Sequence, residues 1–356
     1  MKVFHCDQCD QILFFENSQC VSCGASLAYV PGDGLITALP ANAANPWAST
    51  NPALAGRTFR LCRNYLEHQT CNWAIPSDDE NPYCRSCRLT RVIPDVADPL
   101  GRAAWHRLEL AKRRLVFTLL ALDLPIVGRD DDPASGLSFE FRADPPEPEA
   151  PRVFTGHADG VITVNIAEAD DSERERRRSE LGEPYRTLLG HMRHESGHYY
   201  WNRLVRETEG LDEYRAVFGD ERQDYGEALQ QYYGKGAPAD WQSRYVSAYA
   251  SAHSWEDWAE TWAHYLHMVD ALETAGSNGL VLRPRRADEP ALGRLPSEVP
   301  SEILPFDRLI DGWFSLTYVL NNLNRSMGLL DGYPFVLSPP AVEKLRFVHD
   351  LVTRAG

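Results

Sequence analysis

An α+β fold is what the 356-residue sequence predicts: a cysteine-rich N-terminal region of short strands, then a mainly helical domain carrying a small β-sheet. Three observations carry this. All eight cysteines precede residue 88. Residues 137–141 and 153–166 hold short apolar or alternating runs of the kind strands use, around an Asp-Gly turn. Long stretches on either side repeat apolar residues every three or four positions, as helices do. At this length two or three domains are expected, and the sequence divides them at 1–31, 32–95 and 96–356.

Composition bounds the function. A net charge of -15 repels a polyanion on average, so a nucleic acid is not the expected main partner. Arg57, Arg60 and Arg63, and later Arg85, Arg88 and Arg91, recur at threes and read as a solvated face or structural ion pairs. Met1 to His5 runs into Cys6 without an apolar stretch, so no secretory signal is visible. The most apolar run, Leu115 to Leu122, is far too short to span a bilayer. The expectation is a reducing cytoplasm and no membrane partner. There, close cysteine pairs bind metal more often than they form disulfides.

The cysteines sort into two sets. Cys6-x2-Cys9 and Cys20-x2-Cys23 are knuckles ten residues apart, each able to aim two thiolates at one ion. Two facing knuckles close a tetrahedron, which predicts a zinc ribbon over 1–31. Gly24 follows the second knuckle, where backbone N–H groups must turn toward sulfur. Cys62, Cys71, Cys84 and Cys87 are expected to form a second four-thiolate module, although only the last two make a knuckle. Residues 32–56, rich in Pro, Ala, Asn and Gly, read as the linker between the two. Such closed sites are structural staples.

Pro99 to Leu122 then reads as an amphipathic helix with Trp105, Leu108, Leu115 and Leu119 on its apolar side. Leu137, Phe139 and Phe141 alternate as a strand. After a Pro-rich loop, Val153–Thr155 and Val161–Ile166 flank Asp159-Gly160, a hairpin turn. The Val161–Ile166 strand is a candidate to pair with an extended peptide. Glu173 to Glu180 is a charged run, read as a solvated helix or mobile loop. Pro184 suits the first turn of a following helix, which carries His194-Glu195-Ser196-Gly197-His198. Residues i and i+4 share a helix face, so His194 and His198 can reach one ion, with Glu195 beside it to take a proton from bound water. His191, one turn earlier, reads as a packed or solvent-facing histidine.

Catalytic zinc normally keeps three protein ligands and one open position. The pattern that would place a third histidine downstream fails, because Trp201 and Leu204 stand where glycine and histidine would be needed. An acid on a later helix remains. Ser254 to His267 supplies Glu256 and Glu260, one turn apart, so that one can bind zinc while the other orients a ligand imidazole. Trp255, Trp258 and Trp262 read as core. Tyr249, seven residues before Glu256, resembles in its spacing the oxyanion-directed tyrosine of peptidases of the anthrax lethal factor type, and that resemblance implies an oxyanion donor, with His253, His264 and His267 as weaker candidates for the same role. Residues 281–305 form a Pro- and Arg-punctuated loop with the look of a lid. Phe306–Met327 and Pro340–Thr353 read as helices, with Trp313, Phe314, Tyr318 and Leu320 packing inward.

The acid pair resembles the gluzincins, in which the first acid is the zinc ligand; by that resemblance Glu256 is the ligand and Glu260 its outer support. The tyrosine spacing and the run Glu256-Asp257-Trp258-Ala259-Glu260 resemble peptidases of the anthrax lethal factor type, which aim a tyrosine at the oxyanion. Nearly the whole chain resembles a bacterial family of zinc-binding metallopeptidases with an N-terminal zinc ribbon. The carriers are the knuckles up to Cys23, Cys62 to Cys87, His194 to Trp201, Trp255 to His267 and Tyr333 to Pro339. The resemblance implies a zincin-like domain acting on a peptide or protein, with one catalytic and two structural zinc ions. A rival reading is an inactive zinc-ribbon adaptor that binds peptides without cutting them. A ribbon-led nucleic-acid binder ranks low, because residues 1–95 carry about as many acids as bases. A protein partner docking on the ribbons is a further expectation.

Overall fold

The computed structural model describes residues 2–40, 45–147, 149–181, 187–282 and 304–355. The chain forms two compact units, Met1–Ala121 with Ile126–Asp171, and Leu122–Pro125 with Ser172–Gly356. Among the described residues no helix is long and apolar enough to cross a membrane.

In the first unit, β1 (Phe4–His5) pairs with β2 (Ile12–Leu13), and the first knuckle lies in the turn between them. β3 (Leu27–Val30) and β4 (Leu35–Ala38) form a second hairpin. Gly34, at φ +64, takes the left-handed turn before β4 that a side chain would resist. β5 (Trp47–Ala48) then joins β6 (Thr58–Leu61), which leads into α1 (Arg63–His68) and pairs with β7 (Ala74–Pro76). The described residues of the expected linker over 32–56 are therefore folded. They supply β4, β5 and the buried Ile36, Trp47 and Leu54. The short, mostly apolar run Leu35–Ala38 and one buried tryptophan were masked by the Pro, Asn and Ala around them. Trp47 and Leu54 pack with Ala28, Val30, Phe59 and Ala74 in one apolar cluster.

The two cysteine modules share one body. Tyr29 N–H donates to Asn72 O at 2.8 Å, and Asn72 Nδ2 donates to Phe15 O at 2.6 Å. The rings of Phe15, Tyr29, Trp73 and Phe117 meet at centroid separations of 5.0–6.3 Å, mostly edge-on or tilted as aromatic quadrupoles prefer.

A four-stranded sheet completes this unit, in the order β10-β11-β9-β8, from β8 (Thr90–Val92), β9 (Ser138–Arg142), β10 (Gly156–Ala158) and β11 (Val161–Asn165). β8 and β9 are parallel, joined across α2 (Pro99–Ala121), as a parallel pair requires. The apolar stripe of α2 is buried as expected, with Trp105, Leu108, Leu115 and Leu119 at most 1% exposed. Asp159 and Gly160 both take positive φ at the hairpin turn. The first strand of that hairpin starts at Gly156 rather than Val153. β11 pairs with β10 on one side and with β9 on the other. It has no free edge, so it is not the strand that an incoming peptide would extend. The charged run is α3 (Asp171–Leu181).

The second unit is helical: α4 (Leu188–Leu204), α5 (Leu211–Phe218), α6 (Tyr225–Lys235), α7 (Ser254–Ser277), α8 (Phe306–Ser326) and α9 (Pro339–Ala355). α7 is its axis, packing against α4, α5, α8 and α9. α8 buries only one face. Trp313 is buried beside Phe306, Leu309 and Ile310, whereas Phe314, Tyr318 and Leu320 are exposed, contrary to the inward packing expected of them. Apolar residues run round more than one side of this helix, so periodicity alone did not say which face α7 would take. Pro184 and most of 281–305 lie outside the described residues.

α4 and α7 approach closely at Gly197. A Cβ there would stand 2.9 Å from Ala259 Cα and 3.2 Å from Trp262 Cβ, inside any ordinary contact. Trp258 Nε1 donates to Gly197 O at 2.8 Å, and Trp262 Nε1 donates to Ser196 Oγ at 3.1 Å. Gly197→Ala is therefore expected to destabilise the protein by about 1–3 kcal/mol, despite alanine's better helix propensity. An unchanged thermal midpoint would show that the crossing has slack.

Candidate metal centres

α4 begins at Thr187, whose hydroxyl accepts from Gly190 N at 2.9 Å and caps the first turn. Two turns on, the helix presents His194 and His198 on one face, their rings 5.1 Å apart and nearly perpendicular. His194, Glu195 and His198 are 8%, 8% and 5% exposed, burial unusual for a surface helix. α7 starts at His253, whose Nδ1 accepts from Trp255 N at 3.0 Å, and sets Glu256 in its first turn. There the helix dipole favours an ionised carboxylate.

The crossing brings these groups together. Glu256 Oε2 lies 3.0 Å from His194 Nε2 and 3.7 Å from His198 Nε2. The three donor atoms all fall within 4.8 Å of one another. Ligands about 2.0–2.1 Å from a tetrahedral zinc stand roughly 3.3 Å apart, so the two measured separations bracket the value one shared ion would impose. Burial argues the same way. Glu256 is 1% exposed, yet its Oε2 receives no well-formed hydrogen bond. A buried carboxylate oxygen with only two imidazole nitrogens near it and no well-formed hydrogen bond is poorly satisfied, and a cation at this point would offset that cost. Although burial alone would lower the His194 pKa, Glu256 and Glu260 pull it well above the ordinary range. Burial likewise works against the Glu256 carboxylate, but the two imidazoles and the Tyr225 hydroxyl hold its pKa low. The pocket is arranged for positive charge.

A second layer fixes the donors. Glu260 Oε1 is 2.7 Å from His194 Nδ1, and its other oxygen accepts from Ser247 Oγ at 2.6 Å. That leaves His194 Nε2 facing Glu256. Tyr225 OH donates to Glu256 Oε1 at 2.5 Å. Neither Tyr225 nor Ser247 was singled out from the sequence. Both lie on separate segments, at separations that no helical or strand period connects to the motif. Tyr249 sits in a one-turn helix with its ring 5.9 Å from that of His194, and its hydroxyl makes no hydrogen bond among the described residues. Burial first, then the charge of Glu256, raises its pKa, so the phenol stays protonated.

Of the expected core tryptophans, Trp258 and Trp262 are fully buried, whereas Trp255 is partly exposed and packs on the His198 ring at 4.5 Å. The three weaker electrophile candidates are placed elsewhere. His253 uses both nitrogens, one to cap α7 and the other to donate to Gln223 O at 3.2 Å. His264 Nδ1 meets Tyr333 OH at 2.7 Å in the core, where burial lowers its pKa to about 4. His267 packs on Trp313 and Tyr333, and burial takes it to about 3. His191 is half-buried and stands outside the donor cluster.

The cysteines gather into Cys6-Cys9-Cys20-Cys23 and Cys62-Cys71-Cys84-Cys87. Across the first set Cys6 Sγ is 3.7 Å from Cys23 Sγ and Cys9 Sγ is 3.6 Å from Cys20 Sγ; in the second, Cys71 and Cys84 are 3.7 Å apart. Disulfide sulfurs are about 2.05 Å apart, whereas thiolates around one tetrahedral zinc are roughly 3.8 Å apart. The distances match the second arrangement. Backbone N–H groups of Trp73, Cys84 and Cys87 point at sulfurs of the second cluster. Arg113, from α2, is 3% exposed; it donates to Thr70 O and, among the described residues, forms no close ion pair with a carboxylate. Burial opposes its charge, but Cys71, Cys87, Glu109 and Cys84 raise its pKa, so the thiolates supply most of its counter-charge. Four thiolates around a divalent ion carry a net double negative charge, half of which one guanidinium offsets.

Residues 101–351 match a family model described as "Putative zinc-binding metallo-peptidase", and residues 3–98 match one described as a zinc-ribbon domain. Proteins of Mycobacterium bovis and of two Mycobacterium tuberculosis strains, each named only as uncharacterized, are 45% identical over 353 residues. Those residues cover 99% of this chain and 95% of each relative. No solved structure matches.

If Arg113 balances the second cluster, Arg113→Met should weaken its hold on zinc roughly 10–100-fold, as loss of an outer partner commonly does. Chelator competition would show this as faster release from that cluster, with the first cluster unaffected. Equal release rates in variant and wild type would remove the counter-ion role.

Proposed function

The chain belongs to the zinc-binding metallopeptidase family, and on that premise we propose that the His194–His198–Glu256 site hydrolyses peptide bonds in a peptide or protein substrate by a gluzincin-type route. One observation carries the reading. Two imidazoles four residues apart on α4 and a carboxylate on α7 converge within 4.8 Å, with a further carboxylate, Glu195, borne on the same helix between the imidazoles.

His194, His198 and Glu256 would hold zinc, which would supply Lewis acidity and lower the pKa of water toward about 7. Glu195 takes the proton from the attacking water and returns it to the leaving amine. Tyr249, still protonated and without a hydrogen-bond partner among the described residues, donates to the oxygen that gains charge as the carbonyl is attacked. Glu260 keeps the His194 ring turned so that Nε2, not Nδ1, faces Glu256, and Ser247 fixes Glu260 in turn. The four-cysteine clusters are structural in this reading, giving three zinc ions per chain, and their thiols suit a reducing cytoplasm. The ribbons are left to meet protein rather than nucleic acid, given the net charge of -15.

Two measurements test this. Zinc analysis should return three ions per chain, one leaving first under chelator, and His194→Ala should hold two. On a peptide library, Glu195→Gln should lower turnover by about 10²–10⁴-fold with zinc content unchanged. A Glu195→Gln protein that still cleaves would remove the assigned base. A wild-type chain that binds peptides without ever cleaving one would be the inactive adaptor instead.

A further inference from the structure

Resting on that reading of the site, we infer that Tyr225 is the residue that positions Glu256, occupying one carboxylate oxygen so that the other alone faces the two imidazoles. The two oxygens of Glu256 have different surroundings. Oε1 accepts from Tyr225 OH at 2.5 Å, while Oε2 stands 3.0 Å and 3.7 Å from the two Nε2 atoms and receives no well-formed hydrogen bond. A carboxylate offering both oxygens to one ion raises its coordination number and uses up the place a water needs. A donor fixed on one oxygen prevents this.

Core packing does not explain where Tyr225 sits. It is the first residue of α6, a helix with no buried residue, and is itself 37% exposed. Its hydroxyl nevertheless reaches a carboxylate that is 1% exposed. The ring is held by edge-on contacts with His253 at 5.3 Å and Trp255 at 5.8 Å. Asp224 caps α6 by accepting from Glu227 N at 2.8 Å, and Gln223 O accepts from His253. His253 therefore caps the helix that carries Glu256 and also ties down the segment that carries Tyr225. The two are placed from one point. The arrangement parallels Glu260 on His194, so two of the three donors each have a partner that fixes which atom they present. It also separates the two tyrosines, since the Tyr225 proton is committed to Glu256 and that of Tyr249 is not.

The test uses the full chain and metal alone. Tyr225→Phe keeps both ring contacts and removes one hydroxyl. Its zinc dissociation constant at the histidine site should rise roughly 10–100-fold by chelator competition, with both cysteine-bound zincs retained. After Co²⁺ substitution, its visible bands should weaken as Glu256 turns bidentate and the coordination number rises. Tyr249→Phe, which loses a hydroxyl that bonds neither ligand, should keep wild-type zinc affinity and cobalt bands. Unchanged affinity and bands in Tyr225→Phe would overturn the inference, as would equal losses in both tyrosine variants. So would loss of cysteine-bound zinc or a lowered thermal midpoint in the metal-free Tyr225→Phe protein, because the tyrosine would then be supporting the fold. If His194→Ala still bound three zinc ions, the failure would belong to the metal-site reading itself.

Discussion

The close crossing of α4 and α7 at Gly197 is the constraint from which the histidine site follows. Helical periodicity gives each helix a pair of polar residues four apart, but a pair on one helix is only half a site. The missing Cβ at Gly197 lets Ala259 approach, and Trp258 and Trp262 bond back to Gly197 O and Ser196 Oγ. These contacts fix both distance and register. His194 and His198 then stand opposite Glu256 and Glu260. Asp257, between the two acids, is drawn into a buried ion pair with Lys344 of α9 at 2.6 Å. That pair ties the opposite face of α7 to the rest of the unit.

Charge balance is the second theme, and it takes opposite forms in the two units. Around His194 the surplus is negative: two carboxylates reach one imidazole, and the pocket favours a cation. Around Cys62, Cys71, Cys84 and Cys87 the sulfurs are matched by the buried guanidinium of Arg113, on which three of them act together with Glu109. In both places one atom of a buried charged group, Glu256 Oε2 or Arg113 Nε, makes no hydrogen bond among the described residues. Such a group is tolerated only where something else completes it. These orphaned groups argue for metal independently of the motif spacings.

The sequence made legible whatever rests on local spacing. The knuckles, the histidine pair, the acid pair and the stripe of α2 are all separations of three or four residues, and folding preserves such separations. The parts that depend on distant contacts were not legible. Trp47 gives no periodic signal, yet it anchors an apolar cluster that turns an apparent linker into sheet. Tyr225 and Ser247 reach the acids of α7 from segments with no fixed spacing to them. Arg113 sits on the helix face that also buries Glu109 and Lys112, so a stripe of charge that reads as solvent-facing is in fact interior. The direction of β11, parallel to β9 and enclosed by β10, followed from topology and could not be read from a hairpin motif.

The aromatic group of Phe15, Tyr29, Trp73 and Phe117 bears on where this chain can be divided. Its members come from the first ribbon, its hairpin, the second cysteine module and the α2 helix, so a cut before residue 99 strips Phe117 from the other three. A fragment ending there would keep its thiolates but present a bare greasy face, inviting self-association rather than yielding an excisable adaptor. The natural seam for expression or for grafting falls after residue 171, beyond the sheet. Swapping the N-terminal half between relatives would therefore have to carry α2 and its strands along with the cysteines.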